Sequence, residues 1–177
     1  KLITESPGAH LPLSRALDIM HQVARALAHA HSRGVIHRDV KPENLLLVGG
    51  IAAPDALRLV DFGLAFCVDA TRLTLMQTVE GSACYLAPEQ VEHGAVTPAT
   101  DVYALGATLV TMLTGSAPFE GQYLEQLAAH VKLPAPSLRA RRGDVPEVVD
   151  RFVRTMLEKD PRRRPSSAAA VARRLAE

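Results

Sequence analysis

The stretch from Val35 to Leu47, "VIHRDVKPENLLL", constrains this chain more than any other. A histidine, an arginine, an aspartate, a lysine and an asparagine stand between apolar flanks of the kind a fold buries. A solvated loop has no use for such flanks, and a core strand does not tolerate such a centre. The segment therefore reads as a polar loop held between two packed elements.

The elements on either side are legible. From Leu13 to Ser32, Leu13, Leu17, Met20, Ala24, Leu27 and His31 recur at helical spacing, with Ser14 near the start and Gly34 just past the end. After the loop, Leu45–Val48 and Leu57–Val60 read as short strands of a hairpin, joined through Gly49, Gly50, Pro54 and Asp55. Residues 61–89 show little periodicity and many Thr, Ser and Gly, as a long loop would. Helices are expected over Asp101–Thr114, Tyr123–His130, Pro146–Leu157 and Ser166–Ala176, the last capped by Ser166 or Ser167. A Pro- and Arg-rich loop precedes the third of these. No internal repeat is present.

With 177 residues, 47% hydrophobic and 22% charged, the composition fits one globular domain or one large lobe. A formal net charge of +1 gives no electrostatic argument for nucleic acid. The clusters Arg139–Arg142 and Arg162–Arg164 lack interleaved aromatics and read as solvated basic surface. Cys67 and Cys84 form neither a metal spacing nor a disulfide framework and fit a reducing compartment. Cys84 reads as a small packing residue. His10, His21, His29, His93 and His130 show no ligand spacing, and His31 and His37 read as core histidines. The most apolar run, within Asp101–Gly115, falls short of the roughly 20 residues a bilayer span needs and reads as a buried helix.

The loop's own chemistry comes next. Asp39, pinned between a helix and a strand, can accept a proton from a hydroxyl. Asn44, in D-x4-N spacing, can offer a carbonyl oxygen to a hard cation. The second strand ends in Asp61-Phe62-Gly63, where the aspartate supplies charge and the glycine a sharp turn. Antiparallel strands would let Asn44 and Asp61 face one another across one Mg²⁺, as phosphoryl transfer requires.

"HRDVKPEN", "DFG" and "APE" (Ala87-Pro88-Glu89), in this order, resemble the signature set of protein kinases. The resemblance runs from the first helix to the last. It implies a mainly α (α+β) fold over residues 1–177, the C-terminal lobe of a protein kinase. That lobe is a helical bundle with a short β-hairpin beside a catalytic loop, residues 37–44, and an activation segment, residues 61–89. The β-rich N-terminal lobe, with its G-x-G-x-x-G loop and phosphate-pairing lysine, is absent from these residues, so one wall of the ATP cleft is expected here. An isolated lobe of this kind is expected to transfer phosphate poorly and to expose apolar surface around Leu46 and Phe62.

Residue by residue, the resemblance implies that Asp39 is the catalytic base. Lys41 is similar to the lysine that steadies the transferring phosphate, and Glu43 lies in the same nucleotide-side loop. Asn44 and Asp61 resemble the Mg²⁺ ligands, with Mn²⁺ as a substitute, and Leu46 would floor the adenine of ATP. His37 and Phe62 would stack in an internal spine, and Gly63 completes the triplet. Asp101 resembles the buried aspartate that holds the catalytic-loop backbone, and Glu89 would pair with Arg164. Arg38, directly before Asp39, marks enzymes whose activation loop is ordered by a phosphate; Thr74 and Thr78, then Thr71, are the candidate acceptors. Ser82 stands where the family usually has threonine, Ala83 replaces a frequent proline, and Tyr103 stands in a common tryptophan position. These features look like bacterial serine/threonine kinases, with protein substrates, no nucleic acid, no membrane segment in this chain and a cytoplasmic location, free or as part of a membrane-anchored kinase. Other readings are a pseudokinase or scaffold lobe, which intact Asp39, Asn44 and Asp61 disfavour, and a small-molecule phosphotransferase, which "APE" disfavours.

Overall fold

The computed structural model describes residues 10–48, 57–62 and 82–176. Among these, a helix-dominated lobe surrounds one central helix, with a single two-stranded sheet at one end. The first helix, α1, spans Leu13–His31. Its buried face is Ala16, Ile19, Met20, Val23, Ala24, Leu27 and Ala30, wider than the periodic set expected, because α1 packs on two helices at once. Pro12 precedes its first turn without a side-chain cap, so Ser14 has no capping role.

The strands β1, Leu45–Leu47, and β2, Leu57–Leu59, pair antiparallel with Leu45 opposite Leu59 and Leu47 opposite Leu57. Each is one residue shorter than expected. The Leu57 N–H donates to Gln22 Oε1 on α1, which ties the hairpin to the helix bundle. Alternation along β1 buries Leu45 and turns Leu46 outward.

A 3₁₀ turn, Ser82–Tyr85, leads into α2, Pro88–Val91. Helix α3, Pro98–Thr114, is buried on every side and forms the spine of the lobe. It begins three residues before the expected Asp101. At Gly106 a Cβ would lie 2.9 Å from the Met156 Cβ, so the glycine sets how closely the helix that ends at Met156 approaches. Gly115, with φ 74°, closes α3 in the left-handed conformation. The remaining helices are α4, Tyr123–Lys132; α5, Leu138–Arg141; α6, Glu147–Met156; and α7, Ala168–Leu175. Helix α5 falls inside the stretch read as a Pro- and Arg-rich loop. Ser167 caps α7 by accepting the Ala170 N–H. Helices α1 and α6 flank α3, and α7 packs against both α1 and α3.

The basic clusters are less solvated than their composition implies. Arg141 donates to the Ala117 and Pro118 carbonyls, and Arg142 to those of Leu11 and Leu113. They stitch connecting segments to the ends of helices. No helix of the described residues is long and apolar enough to cross a membrane.

Candidate active site

The polar loop runs from His37 to Asn44, and its shape is set by α3. Asp101, fully buried, accepts the His37 N–H at 2.8 Å on Oδ2 and the Arg38 N–H at 2.7 Å on Oδ1. His31 Nε2, from the end of α1, also meets Oδ2 at 2.7 Å. Further along α3, the Thr108 hydroxyl donates to the Val40 carbonyl at 3.1 Å. Two backbone N–H groups on one carboxylate let Arg38 occupy the left-handed region, φ 70°, which a residue with a side chain rarely adopts.

The turn this creates presents Asp39. Its carboxylate Oδ2 meets Lys41 Nζ at 2.8 Å and accepts from Asn44 Nδ2 at 3.1 Å. Asn44 Nδ2 also donates to the Asp39 carbonyl at 2.8 Å. The amide nitrogen of Asn44 thus serves the loop, and its carbonyl oxygen is the end left to face a ligand. A 3₁₀ turn, Pro42–Asn44, delivers the chain into β1 and buries Asn44 while leaving Glu43 exposed.

β2 brings the second acidic group to the same place. The Val60 N–H donates to the Asn44 carbonyl at 3.1 Å, continuing the ladder by one residue. Asp61 follows with φ 61°, its side chain exposed. His37 Nε2 donates to the Val60 carbonyl at 2.9 Å, and its ring lies 4.5 Å from that of Phe62. The hairpin pairs Asn44 with Val60 and sets Asp61 one residue further along, so the two residues that would supply oxygens, Asn44 and Asp61, stand at neighbouring strand ends. These are hard oxygen donors, and the described residues contain no group of three or more His, Cys, Asp or Glu that could hold a metal. That set fits Mg²⁺, which keeps waters and takes phosphate oxygens, better than Zn²⁺.

The apolar face beside this edge is open. Leu46 is 49% exposed, Val48 47% and Phe62 38%. Large side chains left in water on one side of a polar site make a surface suited to a flat ring or another protein.

The segment after the hairpin returns to the loop through α2. Glu89 receives a bidentate pair from Arg164, at 2.7 and 2.8 Å, with the arginine side chain wholly buried. The Thr100 hydroxyl adds a bond to Glu89 Oε1 at 2.8 Å, and Arg164 also donates to the carbonyls of Ala99, Glu158 and Lys159. Its guanidinium lies 4.8 Å from the centre of the Tyr103 ring. Burial alone would raise the Glu89 carboxyl, but the hydrogen bonds and charge of Arg164 outweigh it and hold the group below its ordinary value. Tyr103 OH bonds His130 Nδ1 at 2.8 Å, so His130 is a packing residue, as its spacing implied. Cys84 donates to Gln126 Oε1; burial, with the Glu43 charge, pushes its thiol up, which marks packing and not reactivity.

The structure thus brings together Asp39, Lys41, Asn44, Asp61, His37, Phe62 and Asp101, and separately pairs Glu89 with Arg164. Arg38 is half-buried, with no carboxylate in ion-pair range among the described residues. Gly63, Thr71, Thr74 and Thr78 lie outside the described residues, as does the side chain of Ser82. Three contributors went unread in the sequence: His31 as a partner of Asp101, Thr108, and Gln90, whose amide reaches the Arg38 carbonyl.

Known proteins share this arrangement. A family described as the protein kinase domain matches residues 3–175. The serine/threonine-protein kinase PrkC of Bacillus subtilis is 38% identical over 156 residues, 86% of this chain and 23% of that protein. PknD of Mycobacterium tuberculosis is 41% identical over 161 residues, 90% of this chain and 24% of that protein. The DNA damage-responsive serine/threonine-protein kinase RqkA of Deinococcus radiodurans is 40% identical over 172 residues, 96% and 25%. The crystal structure of a point mutant of the Mycobacterium tuberculosis PknI kinase domain superposes with a TM-score of 0.71 at 29% identity, covering 95% of this chain and 56% of that one. The chain spans about a quarter of the length of these curated relatives. With its kinase-like helical lobe and its motifs in kinase order, the chain belongs to the protein kinase domain family.

Proposed function

We propose that this chain is the C-terminal lobe of a serine/threonine protein kinase of bacterial type, which transfers the γ-phosphate of ATP to Ser or Thr hydroxyls of protein substrates in the cytoplasm. The observation that carries this reading is the convergence of Lys41 and Asn44 on one oxygen of Asp39, on a loop bolted to Asp101. A carboxylate held in this way is oriented before substrate arrives, which is where such sites gain rate.

Each residue has one task. Asp39 orients the substrate hydroxyl and takes its proton as the oxygen attacks. Lys41, already against Asp39, steadies the phosphate that is passed. Ser82, in the position the family usually fills with threonine, would offer its hydroxyl to both. Asn44, through its carbonyl oxygen, and Asp61 would hold Mg²⁺, or Mn²⁺ in its place. When bound, the metal neutralises charge on the phosphates. Leu46, exposed beside the loop, would lie beneath the adenine of bound ATP, with Glu43 on the nucleotide side of the loop. Arg38 receives a phosphate on Thr74 or Thr78, with Thr71 as a third acceptor, which orders residues 61–89. Intact Asp39, Asn44 and Asp61 favour this over a docking lobe.

The test is phosphate incorporation into a generic basic protein from labelled ATP and Mg²⁺. It uses the longest form the gene encodes, the 177-residue chain alone, and the Asp39→Asn variant. Turnover of about 1–100 s⁻¹ in the longest form, near nothing in the other two, is expected. Silence from the longest form, or full activity with Asp39→Asn, would overturn it.

A further inference from the structure

We propose that Gln90 is a positioning residue for this loop: its side-chain amide fixes the peptide that presents Asp39 and ties it to the Ala87–Val91 segment. The inference rests on the kinase reading above. Gln90 sits in α2, is 8% exposed, and bonds at both ends of its amide. Oε1 accepts the Ala87 N–H at 3.1 Å, and Nε2 donates to the Arg38 carbonyl at 2.9 Å. Rotating the amide by half a turn would set donor against donor and acceptor against acceptor, so the bonding pattern defines its orientation.

The Arg38 carbonyl and the Asp39 N–H belong to one planar peptide. On its other side, the Asp39 N–H reaches His37 Nδ1 at 3.3 Å, beyond the usual range for such a bond. Gln90 therefore makes the shorter of the two contacts that set the plane of this peptide. Asp101 fixes the peptide before it, through the Arg38 N–H. Arg38 itself holds φ 70°, so its two flanking peptides must both be pinned for the turn to persist. Asp101 pins one from α3, and Gln90 pins the other from the segment that follows residues 61–81. Because Glu89 locks α2 to Arg164, the position of Gln90 is inherited from that ion pair. The placement of Asp39 thus depends on α2 being docked.

Two variants in the longest encoded form test this, with kcat referred to nucleotide-binding sites so that unfolded protein does not count. Gln90→Met removes both bonds at similar volume. Gln90→Glu keeps the acceptor for the Ala87 N–H and loses the donor to Arg38. Both are expected to lower kcat about tenfold, the size of one ordinary hydrogen bond, with KM for ATP within about twofold. Protonating the new carboxyl restores a donor, so the ratio of Gln90→Glu to wild-type kcat should rise as pH falls. Amide exchange at Asp39 should quicken about tenfold in Gln90→Met. A kcat per site within twofold of wild type, a flat pH ratio, or unchanged Asp39 exchange would each overturn the proposal. If wild type transfers no phosphate to any substrate, the kinase reading fails, and the exchange measurement still decides the role of Gln90.

Discussion

Replacing Asp101 by asparagine should damage the loop although the two side chains have nearly the same shape. The carboxylate takes three polar groups: the Arg38 N–H on Oδ1, and the His37 N–H and His31 Nε2 on Oδ2. An asparagine has one acceptor oxygen and one NH₂. If its oxygen replaces Oδ1, the NH₂ confronts the His37 N–H; if it replaces Oδ2, the NH₂ confronts the Arg38 N–H. His31 can switch tautomer to suit, but a backbone N–H cannot. Either orientation leaves one buried donor unpaired and removes a charge-assisted bond, a loss of about 3 kcal/mol.

That energy has two places to appear. If the loop stays put, it lowers the melting temperature by about 6–12 °C for a domain of this size. If the loop relaxes to rescue the orphaned N–H, Arg38 leaves its left-handed conformation and kcat falls by about 10²-fold. Differential scanning fluorimetry and site-normalised kinase assays on Asp101→Asn read both. A variant within 2 °C of wild type in melting temperature (about 1 kcal/mol at most) and within about twofold in kcat would refute the reasoning.

Arg164→Met removes the charged partner of the Glu89 carboxylate, leaves the Thr100 hydroxyl, and should cost about 3–5 kcal/mol in chemical denaturation. In wild type the depressed Glu89 carboxyl contributes stability that is present above its unfolded value of 4.5 and is lost as pH falls through the lower folded value. In Arg164→Met burial is opposed only by the Thr100 and backbone hydrogen bonds, so that variant should gain stability relative to wild type between pH 7 and 5; a constant difference would contradict this. Lys159 is lowered to about 8, first by burial and then by the Arg164 charge. Between about pH 8 and its unfolded 10.5 the unfolded chain binds more protons, so stability should rise with pH there, and Lys159→Met should flatten the rise in a thermal melt series. Asp61→Asn should raise the Mg²⁺ concentration for half-maximal activity about tenfold or more; equal Mg²⁺ curves would remove Asp61 from the metal's coordination.

What could be read from the sequence was local. The D-x4-N spacing, the strand ends and the 3.6-residue periodicities each express a constraint within one short segment, and they located Asp39, Asn44, Asp61 and most helices. Helix α5 escaped because its order comes from elsewhere: Asp150, on α6, accepts the Ser137 hydroxyl and the Leu138 N–H, and Leu138 is its one buried anchor. Arg141 and Arg142 looked like surface charge because their acceptors are distant main-chain carbonyls, which no local pattern reveals. His31, Thr108 and Gln90 were missed for the same reason. Each reaches a partner far along the chain, and each would be unremarked as a buried polar residue on a helix.

Those three missed residues show what sets the shape of the loop. Asp101 and Thr108 lie two turns apart on one face of α3, a distance of about 10.5 Å at 1.5 Å per residue. The loop backbone between the groups they hold, from His37 N–H to the Val40 carbonyl, is four residues, about 13 Å if extended at 3.3 Å per residue, and so longer than the span it must match. Helix α3 therefore acts as a ruler, holding the loop at both ends, while Gln90 reaches in from α2 to hold the peptide between them. A loop held at both ends and its middle has no freedom to place Asp39 anywhere else, and the left-handed Arg38 is the bend that takes up the difference. This also explains why α3 is buried on every side: a ruler that could bend or slide toward solvent would carry Asp39 with it. The apolar flanks of "VIHRDVKPENLLL" complete the device, since Val40 and Leu45 sink into the core and leave the polar atoms between them to be fixed by partners from α1, α2 and α3.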